Sequence, residues 1–299
     1  MKDVSLEEKE GVAIERIHKF AKIADAMRFD VCVGFSGGKD SQVVYDLMKR
    51  SCVPFKAYYN KAFESNITKN FIKEHYPDVI WRQDHHFGFI QNIHVNHSGM
   101  LPTVFRAYCC DDFKHNKKYI DPCSITGVRR AESKSRKQRT TIEVKNKTTL
   151  KKNKELIDSY FEEHCQSVGN QSIIQLKPII DWTDQDVWDY IHKHNLPINS
   201  EYELTPRVGC IICPKANLDK NYIYLLKYPK LIDAFILAKE KGLQVDWTIK
   251  SDGNKDYSSN KPYYICRWLN HSFAPFSKSQ EHKYKLVREK YDKMKQNNK

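Results

Sequence analysis

The stretch FDVCVGFSGGKDSQVVYDLMKR, residues 29–50, changes character twice. FDVCVGF (29–35) is short and mostly apolar, the composition of a strand buried on both faces. KDSQVVYDLMKR (39–50) carries Val43, Val44 and Leu47 on one side of a helical repeat. Gly37 and Gly38 therefore stand where a strand ends and a helix begins. In open α/β sheets ligands bind at that place, outside the carboxyl ends of the strands. The exposed N–H groups and dipole of a starting helix favour an anion there, and glycines let the backbone approach it closely. An ordinary strand-to-helix turn would explain the glycines but not Ser36, Lys39, Asp40 and Ser41 packed around them. Two better-known phosphate loops do not fit. From Gly34 only three residues precede Gly38-Lys39, where the Walker pattern needs four, and Asp40 replaces its Ser/Thr. The G-x-G-x-x-G dinucleotide fingerprint is absent as well.

Working outward, the spacing predicts a helix over 12–27 and a second strand at VPFKAYYN (53–60). A helix at 65–76 and strands at 77–82, 123–128 and 172–180 follow. Strands alternating with helices of this length imply an α/β fold, a doubly wound, mainly parallel five-stranded sheet with a mostly helical C-terminal segment. The expected organisation is a nucleotide-binding α/β domain over 1–205, with a basic loop (129–154) inserted. A helical accessory segment, 206–299, carries a CxxC pair and a basic tail.

The 299 residues carry a net charge of +13. Residues 129–154 hold eleven Lys/Arg against two Glu, and residues 280–299 hold seven against three acidic residues. Those two excesses account for the whole net charge, so a polyanionic partner such as nucleic acid is a candidate, with Lys145, Lys147, Lys151, Lys152 and Lys154 as its contacts. A solvated charge run is the plain alternative. No apolar run approaches the length of a membrane span, and MKDVSLEEKE has no apolar signal region. The expectation is a soluble, cytoplasmic protein with no membrane partner. In that compartment nine cysteines are better read as ligands or core residues than as disulfides.

SGGKDS (36–41) resembles the pyrophosphate-binding loop of the PP-loop adenine-nucleotide α-hydrolase superfamily. CCDDFKHNK (109–117), ITGVRRAES (125–133) and IIDWTDQDVWDYI (179–191) narrow the resemblance to the phosphoadenosine phosphosulfate (PAPS) reductase family, over roughly residues 30–215. The resemblance implies an adenine nucleotide as ligand: ATP with magnesium, adenylylsulfate (APS) or PAPS. It assigns the nucleotide to Ser36, Gly37, Gly38, Lys39, Asp40, Ser41, Lys114, Gly127, Arg129 and Arg130. Lys39, Asp40 and Arg129 are the catalytic candidates, with Asp40 suited to the magnesium ion. Independently, Arg129 and Arg130 follow a strand, where guanidinium groups recognise phosphate or sulfate in bidentate fashion. TDQDVW reads as a capping box, Thr183 to Asp186, and hence as structural.

Cys109, Cys110, Cys210 and Cys213 form CC and CxxC pairs about a hundred residues apart. Zinc is the commonest partner of CxxC. Adjacent side chains diverge, however, and a four-iron cluster offers a separate metal atom to each thiolate. The same CC…CxxC arrangement occurs in the iron–sulfur branch of the family the chain resembles. A [4Fe–4S] cluster is therefore the first expectation, zinc the second and four unrelated thiols the third.

The chain departs from sulfonucleotide reductases in two places. Their C-terminal Glu-Cys-Gly-(Leu/Ile)-His motif is missing, and Cys266 in YYICRWLN does not match it. The Asp-Thr-Gly segment usual after the second strand is replaced by YNKAFESN (59–66). The expected function is ATP-dependent sulfur transfer, with nucleic acid as candidate acceptor, as in DNA phosphorothioation. A sulfur-donor protein such as a cysteine desulfurase or thioredoxin would then be a partner. One alternative is an APS/PAPS reductase whose nucleophile has moved, for example to Cys266. The other is a non-catalytic, zinc-stabilised nucleotide- or nucleic-acid-binding module.

Overall fold

The most apolar of the short runs becomes a strand inside the sheet, where its residues are buried. In the computed structural model, which describes residues 4–83, 87–115, 119, 121–144, 147–166, 173–242, 260–270 and 275–297, β1 (Val31–Gly34) buries Val31, Cys32 and Val33. It pairs in parallel with β2 (Lys56–Asn60) on one side and β4 (Cys123–Ile125) on the other. β3 (Ile80–Arg82) extends the sheet beyond β2, and β7 (Ile174–Leu176) extends it beyond β4, both in parallel.

The sheet has seven strands, in the order β3-β2-β1-β4-β7-β5-β6, not five. The two additional strands, β5 (Ile142–Val144) and β6 (His164–Gln166), lie in and just after the segment expected to be a basic loop. β5 runs antiparallel to β7 and parallel to β6. Strands of three residues are too short to leave an alternating signature, and Glu143 disguises β5 as polar. Its carboxylate is buried because Lys177, itself fully buried, stands 2.9 Å away and Arg139 2.6 Å away. The basic segment ends in a helix, α5 (Lys147–Asp158), rather than a loop.

The glycine turn leads from β1 into α2 (Lys39–Arg50). α2 packs against α1 (Leu6–Ala26) and α6 (Asp184–Lys193). Ile17, Phe20, Val43, Leu47, Tyr190 and Ile191 are buried in the same core as the sheet. Because β1 has β2 on one side and β4 on the other, the carboxyl ends of β1 and β4 form the switch point at which α/β sheets hold ligands.

The chain divides into two compact units. The first comprises residues 1–61, 66–83 and 115–209, and contains the sheet. The second comprises 62–65, 84–114 and 210–299, with α4 (Phe89–His97), α7 (Leu218–Lys227), α8 (Lys230–Gly242), α9 (Lys261–Asn270) and α10 (Lys278–Gln296). The boundary expected at 205/206 thus falls at 209/210, and two earlier segments join the C-terminal part. The reason is packing: Phe63 stacks on Phe89 at 4.3 Å, and both rings meet Phe235 of α8 edge-on. Among the described residues no helix is long and apolar enough to cross a membrane.

Candidate functional site

At the end of β1 the chain turns through Gly37, whose φ of +71° is left-handed backbone that a side chain would strain. Two buried amides hold this turn by its carbonyl. Gln42 Nε2 donates to the Gly37 oxygen at 3.2 Å and Asn199 Nδ2 donates to it at 3.0 Å. The serines brace the loop from within. Ser41 Oγ donates to the Gly38 carbonyl at 2.8 Å and accepts from the Ser36 N–H at 3.1 Å. Gly127, after β4, packs so closely that a Cβ there would stand 2.6 Å from the Asp40 carbonyl oxygen. Glycine at 127 thus lets the ends of β1 and β4 close round one cavity.

That cavity has a volume of ≈ 340 Å³ and is lined by Ser36, Gly38, Lys39, Asp40, Ser41, Thr126, Gly127, Arg129, Glu132, Arg136, Asp184, Tyr202 and Arg207, among others. Among the described residues no cysteine lines it. Its floor is a square of four charges. Arg129, 1% exposed, donates from Nε to Asp40 at 2.6 Å and from Nη2 to Asp184 at 2.7 Å. Lys39 Nζ donates to Asp184 at 2.8 Å and reaches Asp40 at 3.4 Å. Burial opposes charge on Arg129, but Asp40 and Asp184 outweigh it and push its pKa up. Burial likewise works against the Asp184 carboxylate, and hydrogen bonds from Lys39 and Arg129 overcome it and hold the carboxyl low. The backbone N–H of Lys39, at the start of α2, donates to the Tyr202 hydroxyl at 2.7 Å. At the rim, Glu132 accepts from the Arg129 N–H at 2.9 Å, from Arg207 at 3.3 Å and from Arg136.

Ser36, Gly38, Lys39, Asp40, Ser41, Gly127 and Arg129 meet in this one cavity. Two other expected nucleotide contacts lie elsewhere. Arg130 is turned away from the cavity, onto Asp181, both oxygens of Glu163 and the carbonyl of Arg139. Arg129 is extended, whereas Arg130 opens a short 3-10 turn (Arg130–Glu132), and the change of backbone sends the two side chains to different partners. Lys114 belongs to the second unit, where it stands 3.5 Å from the buried Glu64 and hydrogen-bonds Cys210. Asp184, Glu132, Arg136, Arg207, Tyr202, Gln42 and Asn199 were not legible as site residues. Asp184 was hidden inside the capping box, which is real: Thr183 and Asp186 bond reciprocally. Of the candidate polyanion contacts, Lys151, Lys152 and Lys154 are exposed on α5, and Lys154 pairs with Asp158. Lys147 opens α5, and Lys145 lies outside the described residues.

The four paired cysteines all fall in the second unit. A π-helical turn, Cys110–Lys114, follows Cys109, while Cys210 and Cys213 precede α7. The Cys109 thiol donates to Cys110, which holds Cys110 down to about 6, with help from the Lys215 and Lys114 charges against burial. Cys109 in turn is pushed up by that bond, by burial and by the neighbouring Cys110, Cys210 and Cys213. Asn221 pins the CxxC turn, donating to the Cys213 carbonyl at 3.0 Å and accepting its N–H at 2.9 Å. Among the described residues no three Cys, His, Asp or Glu side chains are gathered as tightly as a single metal ion requires. The charges of Cys110, Cys210 and Cys213 all act on Cys109, so the CC and CxxC pairs gather in one place of the second unit.

Cys266 is 0% exposed in the second core, and burial pushes its thiol up to about 12, against a hydrogen bond with Tyr222. Burial and the raised pKa both work against the thiolate that a nucleophile needs. Cys266→Ser should leave nucleotide affinity unchanged and lower the unfolding free energy by about 1–3 kcal/mol, read from the denaturation midpoint. Loss of a sulfite-releasing activity at unchanged stability would restore Cys266 as the nucleophile.

The family model described as "Phosphoadenosine phosphosulfate reductase domain" matches residues 30–216. An uncharacterized protein of Methanocaldococcus jannaschii is 24% identical over 244 residues, covering 77% of this chain and 53% of that protein. The chain therefore spans about half of that relative's length. The sulfate adenylyltransferase subunit 2 of Bacteroides thetaiotaomicron is 25% identical over 232 residues, 75% of this chain and 74% of the relative. The adenosine 5'-phosphosulfate reductase 2 of Bacillus subtilis is 34% identical over 98 residues, 32% of each chain.

Proposed function

Because the chain belongs to the phosphoadenosine phosphosulfate reductase domain family, a nucleotide-binding family of sulfur metabolism, we propose that its cavity binds ATP and cleaves it between the α and β phosphates. An acceptor oxygen attacks the α-phosphorus, the α–β anhydride breaks, and pyrophosphate leaves. The observation that carries this reading is the pair of buried cations, Lys39 and Arg129, converging at the carboxyl ends of β1 and β4 in one cavity. Phosphate charge needs such cations, fixed before the ligand arrives. The name of the Bacteroides relative, a sulfate adenylyltransferase subunit, supports the same anhydride cleavage.

In this reading Lys39 and Arg129 take the charge of the departing pyrophosphate, and Asp40 is the carboxylate available to magnesium. Ser36 and Ser41 keep the loop in shape by bonding its backbone, so their part is positioning. Cys109, Cys110, Cys210 and Cys213 would hold a [4Fe–4S] cluster. When bound, such a cluster supplies electrons or sulfide for sulfur chemistry. Asn221 keeps the CxxC turn in register for it. Sulfide-level sulfur from a donor protein then attacks the adenylated acceptor, and AMP leaves with the acceptor oxygen as the bond to sulfur forms; a nucleic acid is the acceptor that the exposed Lys151, Lys152 and Lys154 support.

The test is a titration of ATP, APS and PAPS, with pyrophosphate–ATP exchange measured on the same sample. Lys39→Ala should weaken ATP binding about ten- to hundred-fold, the range for one hydrogen bond to a charged group. Gly38→Val should weaken it too, by filling the approach to the helix start. Wild-type protein that preferred APS or PAPS to ATP would sink the ATP reading in favour of a reductase.

A further inference from the structure

The geometry points to Asp184 as a specificity-determining residue: its carboxylate competes with ligand phosphate for Lys39 and Arg129, and so discriminates against ligands bearing a single phosphate. The inference rests on the nucleotide reading above. One oxygen, Oδ1, accepts from both Lys39 Nζ at 2.8 Å and Arg129 Nη2 at 2.7 Å. Two cations converging on one oxygen is the arrangement a phosphate oxygen would take up. The cations are fixed, with side chains 8% and 1% exposed, whereas the Asp184 side chain is 69% exposed and open to the cavity.

Asp184 is also free to leave. The start of α6 is held by Thr183 and Asp186, and Asp186 is itself anchored by Lys9 at 2.7 Å. Rotation of the Asp184 side chain therefore breaks no cap. Asp184 can yield its cations to a stronger anion without unwinding the helix that carries it.

Four cations and three carboxylates line the cavity, so its charge is almost balanced until a carboxylate withdraws. A monophosphate must displace Asp184 unaided. A polyphosphate with one group on the start of α2 presents its next group to Lys39 and Arg129 as an intramolecular competitor, at high effective concentration. Asp184 thus costs AMP more than ATP, and inorganic phosphate more than pyrophosphate.

The experiment measures dissociation constants of ATP, AMP, pyrophosphate and phosphate for the wild type, Asp184→Asn and Asp184→Glu. Asp184→Asn should bind AMP and phosphate roughly ten-fold more tightly, the effect of removing one partly screened charge near the ligand. ATP and pyrophosphate should gain less, so the ratio between the classes narrows, and Asp184→Glu should restore it. A purely structural role would weaken all four ligands together. Unchanged or weaker AMP and phosphate binding by Asp184→Asn, with circular dichroism and denaturation midpoint intact, would overturn the inference while the ATP reading stood. If the wild type ignored nucleotides yet preferred pyrophosphate to phosphate, the nucleotide reading would fall, and the inorganic pair would decide Asp184. Equal affinity of the wild type for all four would overturn both.

Discussion

Arg129→Ala should lower ATP affinity about a hundred-fold or more, because it removes a charged partner that is already desolvated in the free protein. Arg129 is 1% exposed and anchors the floor of the cavity through Asp40, Asp184 and the carbonyl of Trp182 at 3.3 Å. Removing it leaves two carboxylates without their shared guanidinium. The stability cost is smaller, about 2 kcal/mol, since Asp184 keeps 69% of its side-chain surface in water and solvent screens it. Arg129→Lys should fall between the two proteins: it keeps a charge but cannot span two carboxylates. Calorimetric titration of ATP against all three, alongside denaturation curves, separates the two effects. Arg129→Ala protein that bound ATP within three-fold of wild type would move the nucleotide to another site.

Cys110→Ser or Cys213→Ser should remove essentially all the iron and visible absorption from protein prepared without oxygen. A four-iron cluster needs a thiolate at each iron, and a hydroxyl is a poor substitute. Iron, labile sulfide and zinc are measured on the same samples. Colourless wild-type protein carrying one tightly held zinc would make the four cysteines a structural zinc site, and the non-catalytic reading would gain what the sulfur-transfer reading lost. Because Asn221 holds both the N–H and the carbonyl of Cys213, the turn should keep its shape in Cys213→Ser, so the loss reports ligation rather than unfolding.

Much of the fold could be read in the sequence because its signals are local. A strand buried on both faces has to be apolar along its whole length, and a helix has to repeat its apolar residues, so β1, the glycine turn and α2 could be read from 29–50 alone. The turn also declares its chemistry locally, since glycine backbone, lysine and hydroxyls must be adjacent to cradle an anion. The CC and CxxC pairs, Cys109–Cys110 and Cys210–Cys213, are visible in the sequence as spacings, and the structure puts both in the second unit.

What the sequence alone determined is thus the α/β class, the glycine turn between β1 and α2, and the two cysteine pairs. Tertiary structure alone decided the rest. β5 and β6 exist because β7 and each other pair with them; three residues cannot announce a strand by their own pattern. Glu143 is a core residue only because Lys177 is buried beside it. Residues 62–65 and 84–114 joined the second unit through Phe63 and Phe89, a contact made across more than a hundred residues of chain to Phe235. In the site, Arg129 and Arg130 are indistinguishable by type, and only the direction of each side chain sent one to the cavity and the other to Glu163. Asp184 looked like one more acidic residue at a helix start. It became part of the site because α6 packs beside α2 and delivers its first residue to the side chain of Lys39, 145 positions earlier in the chain. Charge pairing between distant residues depends on where the chain returns in space, and local pattern carries no record of that.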